Sequence, residues 1–415
     1  IYRVEEIVKT IRNILPASII IMGNLHANFY ADEILKIKLA DIVVMGEGEE
    51  TLMDLMTVIS QNKDLENVLG IKYRMKCGAL RTNPMRPYIS DLDNLPLPAW
   101  QYMNIKKYDF FAFGKVAKTG IMILHSRGCP YRCSFCSLII QGEKRRARSI
   151  NSVCDEMELM YDRYNFQSFH FIDPIFPINK QEGLNFCQQM IQRGLNKKIT
   201  WVTETRTELV DKELLTAMKE ANCSRIMYGI ECGTQEVLTN IGKNNRINDA
   251  IKAVQLTRDS KITSVGLFMI GLPNETSKNI NDTIEFSLKL KLDYAKFAVF
   301  VPYPGTAIYS KLVNESEDNG LDRKYLRAWN RYTSYPTENN PPLYLNPQID
   351  SKKLIKLQKK AFLKFYFRPS MFLLHVFKLK TINFKVFIQV AIFLFIEIFS
   401  LIKMSANKFK ERMSY

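Results

Sequence analysis

Six short apolar, β-prone runs follow one another across the middle of the chain. They are Gly120–His125, Ser168–Ile172, Thr200–Thr205, Arg225–Ile230, Thr263–Ile270 and Ala295–Phe300. Amphipathic helical stretches separate them. Val153, Met157, Met160, Tyr161 and Tyr164 make one apolar stripe, with Ser152 and Asp155 spaced like a capping box. Asp211 stands where a helix over Lys212–Ala221 needs its N-cap. Strand–helix units in series leave little choice but a parallel sheet with right-handed crossovers. Six units are two short of a closed eightfold barrel, so the expected class is α/β, a partial (β/α)6 TIM-like barrel. Its active site belongs at the C-terminal ends of the strands.

Directly after the first run comes Cys129-Pro-Tyr-Arg-Cys133-Ser-Phe-Cys136, a CxxxCxxC triplet. Three thiolates on one loop can hold three corners of a 4Fe-4S cluster. A fourth cysteine would close it as an electron carrier, whereas three leave one iron open to a ligand. Zinc is the competing reading, but zinc sites ordinarily use paired CxxC units or CxxC with distant histidines. Here Cys133–Cys136 is the single CxxC. Cys77, Cys154, Cys187, Cys223 and Cys232 stand alone and read as small apolar thiols. Isolated cysteines in a chain this long also argue against a disulfide framework.

The first 62 residues differ in style. Ser18–Met22 and Asp41–Met45 are buried strands ending in Gly23 and Gly46, with helices over Val4–Leu15 and Ala31–Leu39. That is the back half of a doubly wound domain, whose ligands bind at strand C-termini. The chain begins at Ile1, and a fragment with sequence upstream is the expectation. Prolines 84, 87, 96 and 98 mark a linker. The expected organisation is a Rossmann-like half-domain over 1–62, a linker over 63–110, the barrel over 111–330 and a helical C-terminal region over 331–415. A proline-rich loop, Pro336–Pro347, is expected to close the barrel.

The cysteine loop, with Phe135 before its third cysteine, resembles the cluster loop of the radical S-adenosylmethionine (radical SAM) superfamily. Further segments extend the likeness in order: Gly46-Glu-Gly-Glu-Glu-Thr51, Asp91–Pro98, Arg148-Ser149, Phe171–Phe176, Trp201 with Thr205-Arg206, Tyr228–Gly233, Gly271–Glu275 and Val301–Thr306. Together they resemble the cobalamin-dependent class, which includes the anaerobic magnesium-protoporphyrin cyclase and the hopanoid and phosphinate methylases. The resemblance implies a 4Fe-4S cluster on Cys129, Cys133 and Cys136, S-adenosylmethionine on the open iron, and cobalamin in the N-terminal domain. It implies cleavage of S-adenosylmethionine to a 5′-deoxyadenosyl radical, then methyl transfer to an unactivated carbon; oxidative cyclisation or ring rearrangement is the alternative outcome. An iron–sulfur electron-transfer or scaffold protein is the alternative of another class. A low-potential donor of flavodoxin or ferredoxin type would be a partner.

Site roles follow residue by residue. Arg206, at a strand end, offers a guanidinium fork to the carboxylate of S-adenosylmethionine. Glu231 is a candidate for its ribose or amino group. Asp173 stands where other radical SAM proteins carry a Gly-Gly-Glu. Gly271 would admit backbone close to the adenosine, and Pro304 would flank the adenine; both are also compatible with simple turns. Gly23, His26, Gly46, Glu47 and Gly48 are the candidates for cobalamin. His26 is equally open to loop packing, and Gly46–Glu50 to a plain helix start. Glu47 and Glu49 would repel a phosphate and are expected to meet hydroxyls, amides or the neighbouring barrel. The Lys144–Arg148 run faces either solvent or an anionic substrate.

Net charge is +16, but residues 351–415 carry 12 Lys and 2 Arg against 2 Glu, leaving +4 on the rest. A near-neutral body disfavours nucleic acid. Leu354, Leu357, Ala361 and Phe365 share one helical face opposite six lysines, and the mostly apolar Phe384–Ile402 follows. A basic amphipathic helix on an anionic membrane surface is the expectation, with a helix packed on the barrel as its rival. The protein is thus expected in the cytoplasm and at the membrane periphery. Its substrate is a small molecule, with lipids and other hydrophobic metabolites among the candidates.

Overall fold

The computed structural model describes residues 1–104, 110–112, 115–117, 120–137, 142, 144–314 and 327–368, with backbone only at 110–112 and 115–117. The N-terminal part packs α1 (Tyr2–Ile14), α2 (Asn24–Phe29), α3 (Ala31–Lys36) and α4 (Glu49–Ser60) around a four-stranded sheet. Strands β1 (Ile21–Met22) and β2 (Ile42–Val44) are parallel. Beyond them β3 (Ile71–Arg74) and β4 (Leu80–Thr82) continue the sheet antiparallel. The region expected as a linker from residue 63 therefore contributes half of this sheet. Ile71 and Tyr73 are buried and alternate with more accessible Lys72 and Arg74, a two-residue period in a strand too short to stand out.

A hairpin of β5 (Phe110–Ala112) and β6 (Lys115–Ala117) leads into the barrel. The first barrel strand is β7 (Gly120–Ile123), followed by the two-residue strands β8 (Ser126–Arg127) and β9 (Arg146–Ala147) on either side of the cysteine loop. Then come β10 (Ser168–Phe171), β11 (Thr200–Thr205), β12 (Cys223–Glu231), β13 (Thr263–Ile270) and β14 (Tyr294–Val299). The sheet runs β14-β13-β12-β11-β10-β7, every neighbour parallel, so all six expected strands form one open parallel sheet in sequence order.

Helices α5 (Ile150–Tyr164), α6 (Lys180–Gln192), α7 (Lys212–Glu220), α8 (Gln235–Asn240), α9 (Ile247–Asp259), α10 (Ser277–Lys289) and α11 (Ala307–Asn314) alternate with the strands. Asp211 caps α7 as expected, accepting from the Leu214 N–H. For α5 the cap lies three residues earlier than expected: Ser149 accepts from the Ser152 N–H. The outer face of the sheet is aromatic and closed, with Phe169, Phe171, Trp201, Tyr228, Phe268 and Phe297 at most 2% exposed.

The basic helix α12 (Ser351–Tyr366) is part of this layer. Its Leu354, Leu357, Ala361 and Phe365 join the barrel core, leaving its lysines outside. The stripe expected on a membrane surface is thus buried against protein, because the edge of an open sheet offers apolar area that only a further helix can cover. Gln358 Nε2 donates to the carbonyls of Phe297 (2.7 Å) and Ser334 (2.9 Å), tying α12 and the chain after residue 327 to the β14 edge. Among the described residues no helix is long and apolar enough to cross a membrane; Phe384–Ile402 lies outside them.

Candidate active site

The cysteine loop sits at the C-terminal end of β7, flanked by the β8–β9 pair. Gly128 opens it at φ +82°, where a Cβ would fall 2.6 Å from the Lys144 carbonyl oxygen, so only glycine fits. The Cys129 N–H donates to the Gly142 carbonyl (3.3 Å), and the Cys136 N–H to the Cys133 carbonyl (3.0 Å). Ser134 fastens the middle of the loop by giving its N–H and hydroxyl to the Ile241 carbonyl (3.0 and 2.9 Å). Phe135 anchors it in the apolar cluster of Leu238, Ile241 and Phe300. Cys129, Cys133 and Cys136 form no disulfide and are partly exposed, whereas Cys154, Cys187, Cys223 and Cys232 are buried. Burial raises Cys154 to about 11 and Cys187 to about 12, which marks them as inert packing groups. Among the described residues no three Cys, His, Asp or Glu side chains are already gathered closely enough to hold a metal ion. What suits an iron–sulfur cluster is the donor set: three partly exposed cysteines, none in a disulfide, on one braced loop.

Strand ends bring further groups alongside. Arg206, after β11, lies with Nη1 3.9 Å from Cys133 Sγ and its guanidinium 3.9 Å over the Tyr131 ring, while Nε donates to Glu208 (2.5 Å). Glu231 closes β12 at φ +65° beside a register shift, and its Oε1 accepts from Lys243 Nζ at 2.5 Å. Lys243 had no signal in the sequence, because it lies in a loop twelve residues beyond its partner. Asp173 is buried and turned toward the root of the cysteine loop, accepting from the His125 N–H (3.0 Å) and Ser126 Oγ (2.5 Å).

Gly271 is at φ +79°, and the space beside its Cα belongs to Leu354 of α12; its N–H donates to the buried Glu275 carboxyl (2.6 Å). Pro304 precedes Gly305, whose missing side chain makes room for the Phe29 ring of the N-terminal domain.

Contacts between the two domains are of two kinds. At one end Glu47 accepts from Arg127 (3.0 Å), Arg146 (2.8 Å) and the Ile89 N–H (2.7 Å), and Glu49 from Arg127 (2.6 Å). Burial opposes ionisation of Glu47, but these hydrogen bonds outweigh it and hold its carboxyl below the usual range. The arginines of the basic run are thus neither solvated nor left for an anion, while Lys144 is exposed. Arg145 bonds Glu182 (2.8 Å), Arg146 bonds Glu47, and Arg148 bonds Glu156. At the other end His26 stacks on Tyr30 and meets Trp329 edge-on, with Tyr30 Oη 3.4 Å from Tyr309 Oη. Gly23 and Gly46 end their strands; Gly46, at φ +80°, gives its N–H to Asn28 Oδ1, and Gly48 caps α4.

The inner face of the barrel strands carries groups that the apolar reading of those runs passed over. In register lie Met122, His170, Val202 and Arg225, then Glu204, Met227, Val265 and Tyr294, then Gly229, Leu267 and Lys296. Burial raises Glu204 to about 7, with the charge of Glu231 adding and those of Lys243 and Lys296 pulling back. Burial lowers His170, and the cations Arg225 and Lys296 add to that.

The sequence profile described as the radical SAM superfamily matches residues 123–287. An uncharacterized methyltransferase of Pyrococcus horikoshii is 30% identical over 91% of this chain and 78% of its own length. The anaerobic magnesium-protoporphyrin IX monomethyl ester cyclase of Rubrivivax gelatinosus is 29% identical over 76% of this chain, which spans only 57% of that relative. Among solved structures, the radical S-adenosylmethionine methyltransferase TsrM of Kitasatospora setae, with cobalamin and a 4Fe-4S cluster bound, shares the fold. Its TM-score is 0.64 at 17% identity, covering 88% of this chain and 75% of that one. With its cysteine triplet at the end of the first strand of a six-stranded parallel sheet, the chain belongs to the radical SAM superfamily.

Proposed function

We propose that this protein is a radical SAM methyltransferase that uses cobalamin to methylate an unactivated carbon of a small molecule. The observation that carries the reading is the cysteine triplet, braced at the C-terminal end of β7 with Arg206 against it. The relative named a methyltransferase, matched over most of both chains, favours methyl transfer over other outcomes. When bound, an open-cornered 4Fe-4S cluster supplies the electron that splits S-adenosylmethionine, and cobalamin supplies the methyl group.

The chain's own residues do the rest. Cys129, Cys133 and Cys136 hold the iron. Arg206, kept in place by Glu208 and the Tyr131 face, presents its remaining N–H donors to a carboxylate. Glu231, fixed by Lys243, meets a hydroxyl or amino group at the end of β12. Asp173 positions the root of the loop rather than a ligand, since His125 and Ser126 already occupy its oxygens. For cobalamin, Glu47 and the Gly46 N–H are engaged within the protein, so corrinoid contact would fall to Gly23, Gly48 and the aromatic wall of His26 and Tyr30. A flavodoxin- or ferredoxin-type donor would supply electrons. Membrane contact, if the tail makes it, would use the exposed lysines of α12 and the segment Phe384–Ile402, and anionic vesicles at low salt would bind the full chain.

Anaerobic reconstitution tests the reading. Four iron and four sulfide per chain, and an EPR signal that changes on adding S-adenosylmethionine, are expected. With cobalamin and substrate, S-adenosylhomocysteine should appear beside 5′-deoxyadenosine. Deoxyadenosine and product without homocysteine species would favour the cyclase-type outcome, which the Rubrivivax relative supports. Stoichiometric zinc in place of iron would sink both.

A further inference from the structure

The short segment Ile241–Asn245, which follows α8, touches three parts of the candidate site. Its first carbonyl, that of Ile241, takes both the N–H (3.0 Å) and the hydroxyl (2.9 Å) of Ser134, which stands between Cys133 and Cys136. Gly242 comes next at φ +67°. A Cβ there would lie 3.3 Å from the Arg132 carbonyl oxygen, so glycine lets the segment lie close against the cysteine loop. Lys243 then reaches β12: it is 5% exposed, and its Nζ donates to the Gly229 carbonyl (2.7 Å) and to Glu231 Oε1 (2.5 Å). Buried Asn245 gives Nδ2 to Thr207 Oγ1 (3.5 Å), one residue beyond Arg206. Its carbonyl accepts from Gln235 Nε2 (3.1 Å), which closes the segment back onto α8.

Fold stability alone gives little reason for this arrangement. A buried ion pair contributes little net stability once both charges have lost their water. Glu231 sits in the left-handed region at φ +65°, which works against the fold for any residue but glycine. Position 229 must also stay glycine, because a Cβ there would fall 2.8 Å from both Glu231 Oε1 and Lys243 Nζ. All three features serve one end, which is to hold the Glu231 carboxylate in one place and one orientation.

We infer that Lys243 is a positioning residue and that Ile241–Asn245 is a strut, which sets Glu231 for its ligand and joins that site to the cysteine loop through Ser134. Calling the ligand S-adenosylmethionine rests on the radical SAM reading; the link between Lys243 and the loop does not. Coupling of this kind is reciprocal, so what loosens Glu231 also loosens the Ser134 end.

The reconstituted holoenzyme allows two measurements, S-adenosylmethionine affinity by equilibrium dialysis and amide exchange across residues 129–137. Lys243→Ala should keep four iron and four sulfide yet bind S-adenosylmethionine roughly tenfold or more weakly, the factor one charged hydrogen bond is worth. Exchange at the Ser134 amide should rise several-fold. Propylamine has the heavy atoms that this substitution removes, and Lys243 borders a cavity of about 520 Å3 through which an amine can enter. It should restore both the affinity and the protection of Ser134 saturably, and leave wild type unchanged. Unchanged affinity, or a loss that propylamine does not reverse, overturns the positioning role. Wild-type exchange at Ser134 in the variant overturns the strut. Lys243→Met fills the same space without the ammonium, and serves if the alanine variant folds poorly. It should bind as weakly and gain nothing from propylamine, and wild-type affinity there also overturns the inference. A wild-type holoenzyme that binds no S-adenosylmethionine would sink the enzyme reading, while Ser134 exchange with and without propylamine still decides the strut.

Discussion

The two faces of the same six strands obey opposite rules. Outward, Phe169, Trp201, Phe268 and Phe297 interlock with the helices and are sealed from solvent. Inward, on the same strands, stand His170, Glu204, Lys296 and an accessible Met122. Period-two alternation lets one strand serve both, so stability and chemistry can be altered almost independently. The outer face holds the fold, while the inner face and the strand ends carry groups whose burial works against it.

The comparison breaks most clearly at the strand ends. Cys129→Ala, Cys133→Ala or Cys136→Ala should abolish S-adenosylmethionine cleavage while leaving the denaturant midpoint of the apo-protein nearly unchanged; Cys154→Ala should do the reverse. On the sealed face, Trp201→Ala or Phe297→Ala should cost about 3–5 kcal/mol in urea unfolding, by transfer and cavity terms together. A smaller effect is expected where the domains meet. Glu47→Gln removes the carboxylate that Arg127 and Arg146 share, costing on the order of 2 kcal/mol and raising hydrogen exchange around Ile89 and the β8–β9 pair. If that variant exchanges like wild type, the N-terminal domain is held by its aromatic contacts alone.

The smallest effect sharpens the comparison on the inner face. Glu204 has a folded-state pKa near 7, above the ordinary 4.5, because burial and Glu231 disfavour its charge. Its contribution to stability is therefore complete below the ordinary value and lost as pH rises through about 7. Glu204→Gln should flatten that loss, gaining about 1 kcal/mol at pH 8 relative to pH 5 in thermal or urea melts. A variant that loses stability at pH 8 would show that the carboxylate is held by the lumen rather than merely tolerated there.

Sequence reading recovered the strands well because buried parallel strands are continuous apolar runs. That same logic hid the lumen. A lone Glu204 in Thr-Trp-Val-Thr-Glu-Thr or Lys296 in Tyr-Ala-Lys-Phe-Ala-Val looks like noise until register puts such residues on one face. The β3–β4 hairpin was missed because two short, charged strands resemble a linker, although Gly78 at its turn was a hint. Glu47 was half legible: its sign excluded a phosphate, and its barrel partners lie 80 and 99 residues away, beyond any local pattern. Helix α12 carried the right stripe, but a stripe does not say whether lipid or protein will cover it.

The amide of Gln358 has a consequence for the edge of the sheet that it covers. An open sheet ends in a strand whose carbonyls and N–H groups invite any passing extended chain, the usual seed of edge-to-edge aggregation. By occupying the Phe297 carbonyl and sharing the Ser334 carbonyl with the Val299 N–H, that side chain, together with Tyr366 Oη on the Ala295 N–H and carbonyl, converts β14 from a template into a terminus. Removing the basic helix would thus expose a docking edge and a stripe of core together, and the first visible result would be association of one copy with the next.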